Sequence, residues 1–151
     1  PQEYEMLVRR CGVDYLRVSI GLCGGFTGAK KISAIAEANQ LGIIPHNPLS
    51  PVATAACIQM DAATPCFTIQ EYPDPNDQAA HARFVYDKTN ASVFRACDIV
   101  KEMPVCEQGF LLVPDKPGLG IELIDDAEAR FPFERRKVVP RLSSEGAVMD
   151  T

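Results

Sequence analysis

Three short β-rich runs, beginning at residues 13, 42 and 67, limit the folds open to this chain more than any other feature. The first is Val13-Asp14-Tyr15-Leu16-Arg17-Val18-Ser19-Ile20, bounded by glycines. The second is Gly42-Ile43-Ile44-Pro45-His46, and the third is Phe67-Thr68-Ile69-Gln70-Glu71. Helical patterns separate them. Tyr4, Leu7, Val8 and Cys11 recur at i, i+3, i+4, i+7, with Gly12 as a stop. Thr27 can cap a second helix with an inner stripe of Ile32, Ile35 and Ala36, ending near Gly42. Ser50 as N-cap and Pro51 as first helical residue open a third. Its predicted buried stripe is Ala53, Ala56, Cys57 and Met60, and Thr64-Pro65 closes it.

Strands separated by single helices must run parallel, because a parallel neighbour needs a crossover of a dozen or more residues. That is the grammar of an α/β barrel or of a doubly wound sheet. A closed barrel takes eight such units and about 250 residues. This chain has 151 residues and three units. By itself it would expose two sheet edges and the helix faces beside them.

The grammar changes after Glu71. Residues 73–95 are polar and punctuated by proline, with a possible short helix over 77–87. Beyond Cys97 come β-like runs with turns at Glu107-Gln108-Gly109 and Lys116-Pro117-Gly118. The remainder, with Phe131-Pro132-Phe133 and Val139-Pro140, reads as a tail wrapped over something else. The expected division is therefore residues 1–95 as βα units and residues 96–151 as a tail.

Composition removes several function classes. The net charge is −5 and no basic cluster stands out, so a nucleic-acid partner is not expected. No apolar run approaches the ~20 residues of a membrane span. The six cysteines form no CxxC pair, so thiolate-metal and redox spacing is absent. Those in apolar runs, such as Cys57 and Cys66, read as buried thiols in a reducing cytosol.

In a parallel barrel, reactive groups lie at the C-terminal ends of the strands. The three strands deliver Arg17 and Ser19, then His46 and Asn47, then Gln70 and Glu71. An imidazole and a carboxylate converging there can act as general acid and base or polarise a substrate oxygen. The plainer alternative is a structural histidine after a proline and a solvated or capping glutamate. Gly21, Gly24 and Gly25 fit neither the dinucleotide nor the Walker spacing, and a tight strand-to-helix turn accounts for them. His81, in a polar stretch, reads as a surface residue.

Several motifs together resemble a known family. Leu16-Arg17-Val18-Ser19-Ile20-Gly21, followed by Gly24-Gly25-Phe26-Thr27, resembles strand six of the mandelate racemase branch of the enolase superfamily. Pro45-His46-Asn47-Pro48-Leu49-Ser50-Pro51 looks like strand seven of galactonate-dehydratase-like members, and Ile69-Gln70-Glu71 like strand eight. Pro117-Gly118-Leu119-Gly120-Ile121-Glu122 looks like the turn that follows. Phe131-Pro132-Phe133-Glu134-Arg135 is similar to the tail of mannonate-dehydratase-like relatives.

The resemblance implies an α/β fold: strands six to eight of a (β/α)8 barrel plus a tail that packs on an N-terminal capping domain. It implies a Mg²⁺-dependent dehydratase of an aldonic or aldaric acid, cytoplasmic and homo-oligomeric. In such an enzyme a base removes the proton next to the substrate carboxylate and the 3-hydroxyl leaves, giving a 2-keto-3-deoxy acid. His46 becomes the acid/base and Glu71 the group that hydrogen-bonds the substrate carboxylate or enediolate. Arg17, Ser19 and Asn47 become substrate contacts. The metal ligands, expected on strands three to five, fall in an N-terminal half of the barrel, on a separate chain or a missing segment. Ser19 departs from the aspartate that many relatives carry there. Serine can hydrogen-bond but adds no charge, so His46 is expected to protonate the departing hydroxyl, and racemisation is disfavoured. An epimerase or cycloisomerase on the same fold, or a non-catalytic structural or regulatory member, are the alternatives.

Overall fold

A computed structural model describes residues 1–47, 50–72 and 96–132. Helix α1 spans Gln2–Cys11, strand β1 Tyr15–Val18, helix α2 Gly25–Ala38, strand β2 Gly42–Pro45 and helix α3 Pro51–Ala62. After the polar stretch come a 3₁₀ turn at Ala96–Ile99, strands β3 (Cys106–Glu107) and β4 (Phe110–Leu111), and a short helix α4 (Ala127–Arg130).

Strands β1 and β2 pair in parallel, with Leu16 opposite Ile43 and Arg17 opposite Ile44. Alternation along the strands then sorts the side chains by face. Leu16, Val18 and Ile43 point to one face and are fully buried against Ala29, Ile32 and Ala36 of α2 and Met60 of α3. Burying each of the large aliphatic groups among them contributes about 1.5–3 kcal/mol. Tyr15 and Arg17 lie on the other face and are exposed. The sheet is thus covered by helices on one side.

Local chemistry explains most of the boundaries. Gly12 ends α1 in the left-handed conformation, at φ 56°. The Ser50 hydroxyl accepts from the Ala53 amide at 3.1 Å and caps α3, with Pro51 at its first position, as the sequence predicts. Gly42 is required by close approach: a Cβ there would collide with the Tyr15 ring and Thr68 Oγ1.

Four expectations need correction. Helix α2 starts at Gly25, capped by the backbone of Gly24 at φ 95°, and not at Thr27. The buried face of α3 holds Thr54, Ala55 and Ile58 together with the predicted Cys57 and Met60, whereas Ala53 and Ala56 are only half-buried. Of the described thiols only Cys57 is buried; Cys23 and Cys66 are half-buried, and Cys11 and Cys106 are exposed. Lastly, the strand predicted over Phe67–Glu71 is one parallel bridge, Ile43 to Phe67. Two hydrogen bonds hold it: Ile43 N–H to Cys66 O at 2.8 Å and Thr68 N–H to Ile43 O at 3.0 Å.

That interruption has a geometric reason. Phe67 pairs with Ile43, on the helix-covered face. Glu71 bonds Arg17, on the opposite face. Four residues of regular strand would leave both on one face, so the ladder must break for Glu71 to reach Arg17.

Residues 96–132 form a looser unit. An antiparallel bridge joins Val100 to Leu123, and Cys106–Glu107 pairs with Phe110–Leu111. Gln108 (φ 50°) and Gly109 (φ 84°) make the predicted turn, both central residues being left-handed as a type I′ hairpin demands. The segment meets the first through Tyr72, whose hydroxyl donates to Pro104 O at 3.4 Å. The helix expected over 77–87, His81 and the tail beyond Pro132 lie outside the described residues.

Candidate active site

The C-terminal ends of β1, β2 and the Phe67 bridge bring together four of the five residues singled out in the sequence. Glu71 is the hub. Arg17 Nη2 donates to both Glu71 oxygens at 2.7 Å. The backbone N–H of Asn47 donates to Oε2 at 3.0 Å. His46 Nε2 lies 3.9 Å from that same oxygen, close enough for charge to act but too far for a hydrogen bond.

These contacts set the protonation state of Glu71. Burial alone would raise its carboxyl, but the Arg17 hydrogen bond, the Asn47 amide and the nearby positive charge outweigh it. The net result lies below the ordinary carboxylate range. Glu71 is therefore an ionised acceptor at neutral pH. Both Arg17 contacts come from Nη2, so Nε and Nη1 keep their N–H donors free of partners among the described residues. The Arg17 side chain is 57% exposed, while those of His46 and Glu71 are about one-third exposed.

A cleft of about 530 Å³ opens beside this cluster, lined by Tyr4, Arg17, Ser19, Leu22, Cys23 and His46. Ser19, the fifth residue, faces it, and its hydroxyl makes no hydrogen bond to His46 or to any other described residue. Asn47 is placed differently from a substrate contact. It is 2% exposed, and its side-chain amide turns to the start of α3. Sequence reasoning passed over two further residues. Tyr4 donates its hydroxyl to Arg17 O at 2.6 Å, on the strand edge opposite β2. Thr54, fully buried in α3, bonds the Asn47 amide.

No group of three His, Cys, Asp or Glu among the described residues could hold a metal ion. Glu71 is the carboxylate at the strand ends, and both its oxygens are engaged by Arg17 and Asn47. The described residues therefore do not fit a magnesium site by themselves. A second hollow of about 420 Å³ separates α3 from residues 101–122. Its lysines are already matched, Lys101 with Asp125 at 2.8 Å and Lys116 with Glu102 at 3.1 Å, so among the described residues its lining offers no unpaired lysine. No helix among the described residues is long and apolar enough to cross a membrane.

Residues 1–127 match the family model described as enolase C-terminal domain-like. A D-galactonate dehydratase family member, RspA, from Pantoea ananatis (strain LMG 20103) is 35% identical over 134 residues, covering 87% of this chain and 28% of that protein. A D-galactonate dehydratase from Ralstonia pickettii (strain 12J) is 30% identical over 141 residues, 91% of this chain and 32% of that protein. The chain thus spans about a third or less of these relatives. An Agrobacterium radiobacter enolase with bound sodium and L-malate superposes with a TM-score of 0.75 at 29% identity, covering 97% of this chain and 37% of that one. A Pantoea ananatis enolase with bound D-gluconate and magnesium gives 0.66 at 33% identity, covering 88% and 28%.

Proposed function

Because the chain belongs to the enolase C-terminal domain-like family and holds strands six to eight of its (β/α)8 barrel, we propose that it works in an acid-sugar dehydratase. The reaction is a hydro-lyase step on an aldonic or aldaric acid. A proton leaves the carbon next to the carboxylate, the 3-hydroxyl departs as water, and the product is a 2-keto-3-deoxy acid. The dehydratase names of the relatives and the D-gluconate bound to one neighbour support this reading. The observation that carries it is the ionised Glu71 held between Arg17 and the Asn47 amide, with His46 alongside.

Each residue then has a task. Arg17 turns its free N–H donors to the substrate carboxylate and balances its charge. Glu71, ionised in the free protein, takes up a solvent proton as the substrate carboxylate approaches, since two bare carboxylates in contact repel, and through it hydrogen-bonds the carboxylate or enediolate. His46 gives a proton to the departing hydroxyl. Ser19 offers a neutral hydrogen bond to a substrate hydroxyl. A magnesium ion, which would supply positive charge beside the substrate carboxylate, is assigned with its carboxylate ligands and the proton-abstracting base to barrel strands outside this chain. Residues 96–151 form the tail that meets the capping domain of the same enzyme.

The test is product analysis of the complete enzyme, barrel closed, against a panel of aldonic and aldaric acids. A 2-keto-3-deoxy acid is expected, and His46→Asn should lower kcat by about 10²-fold or more, the size of one general acid. An epimer or lactone as product would move the chain to an epimerase or cycloisomerase. No turnover of any acid would favour a non-catalytic role, the reading that Ser19 in place of the family's aspartate supports.

A further inference from the structure

Glu71 is fixed from two directions, and the second runs through the helix layer. On the open face Arg17 holds it. From the other side the Asn47 N–H donates to Oε2 at 3.0 Å. Asn47 follows β2 directly, one residue beyond the His46 N–H bond to Val18 O at 2.8 Å, and its side chain reaches the start of α3. Its Nδ2 donates to Thr54 Oγ1 at 2.5 Å and to Ser50 O at 3.4 Å. The Thr54 hydroxyl spends its one proton on Ser50 O, at 3.1 Å, so toward Asn47 it can only accept. The Ser50 carbonyl, which can only accept, lies beside the same end of the amide, so that end is Nδ2. Asn47 Oδ1 is buried without a partner among the described residues, which leaves the Nδ2 contacts as the anchor. Thr54 is 0% exposed and Asn47 2%, so neither side chain can meet a substrate.

We propose that Thr54 and Asn47 form a positioning pair, which aims the Asn47 backbone N–H at Glu71 and so fixes the carboxylate from the helix side. The pair acts on the reaction through Glu71 and touches no reacting atom. Its catalytic consequence rests on the dehydratase reading, whereas its effect on Glu71 does not.

The test uses Thr54→Val in the complete enzyme, which keeps the side-chain shape and removes the acceptor. Two measurements separate the possible failures. Carbon-13 NMR titration of the Glu71 carboxyl should show its midpoint moving up by about half a unit to one unit, the worth of one neutral hydrogen bond. The acid limb of kcat/KM should rise with it, and kcat/KM should fall roughly threefold to tenfold at neutral pH. Thr54→Ser, which keeps the hydroxyl, should restore both. Asn47→Ser changes no residue of α3 and its side chain is too short to reach Thr54, so it should shift Glu71 in the same direction even if Thr54→Val folds poorly. An unmoved Glu71 titration in both variants overturns the pair. A shifted titration in an enzyme that turns over no sugar acid upholds the pair and removes the dehydratase reading instead.

Discussion

Residues 1–72 bury a packed apolar core that residues 96–132 lack, although Tyr15, Leu22 and Ile69 of the first stretch are also exposed. In the first stretch Leu16, Val18, Ile32, Ile43 and Met60 are exposed by no more than 1%. In the second, Val105, Phe110, Leu112, Val113 and Leu123 are 45% to 72% exposed, and Val100 is the buried exception. The cause is architectural. A parallel pair arrives with its crossover helix, which covers one face as soon as the strands meet. A hairpin of two-residue strands brings no second layer. Two carboxylates of the first stretch show the same contrast with a lysine of the second. Glu71 and Asp61 sit among packed elements, whereas Lys101 meets Glu122 and Asp125 in solvent.

The contrast can be broken most directly by truncating one apolar residue on each side of it. Ile43→Ala should destabilise by about 2–5 kcal/mol, transfer and cavity terms together. Leu112→Ala, at a position 45% exposed, should stay within about 0.5 kcal/mol. Denaturant unfolding of this 151-residue chain measures both, and equal losses would erase the distinction.

A smaller effect, opposite in sign, concerns Asp61. One of its oxygens is buried without a partner among the described residues, and burial pushes its carboxyl from 3.8 up to about 7. The folded chain then keeps a proton that the unfolded chain releases as pH rises from about 3.8 to about 7. Stability conferred by that proton is lost across this window and does not return above it. Asp61→Asn carries no such titration. Its unfolding midpoint should gain on the parent's between those two pH values and hold a constant lead above them. A lead that does not vary with pH would show the carboxyl to be ordinary.

The smallest effect lies in the second region. Lys101→Met removes a cation from two exposed ion pairs and should leave the unfolding midpoint unchanged at low and at high salt. A clear drop would mean that this segment is held by charge after all.

What could be read from the sequence was what local chemistry decides. The Gly12 stop, the Ser50-Pro51 start and the Gln108-Gly109 turn each follow from the residues at the position itself. Arg17, His46 and Glu71 were legible because parallel strands deliver residues at their C-terminal ends. What escaped depends on neighbours distant in sequence. Helix α3 is alanine-rich and apolar on most sides, so the sheet selects Thr54, Ala55 and Ile58 where periodicity pointed to Ala53 and Ala56. The single bridge at Phe67 depends on the parity between Ile43 and Arg17, which no stretch of five residues contains. Thr54 gave no signal because a lone hydroxyl within a helix usually faces water.

The uncovered side of the β1–β2 sheet has a consequence for how the protein comes to work. It carries Tyr15 and Arg17 together, an aromatic ring and the guanidinium that grips Glu71. Whatever shuts over that surface dries the ring and walls in the guanidinium in one event.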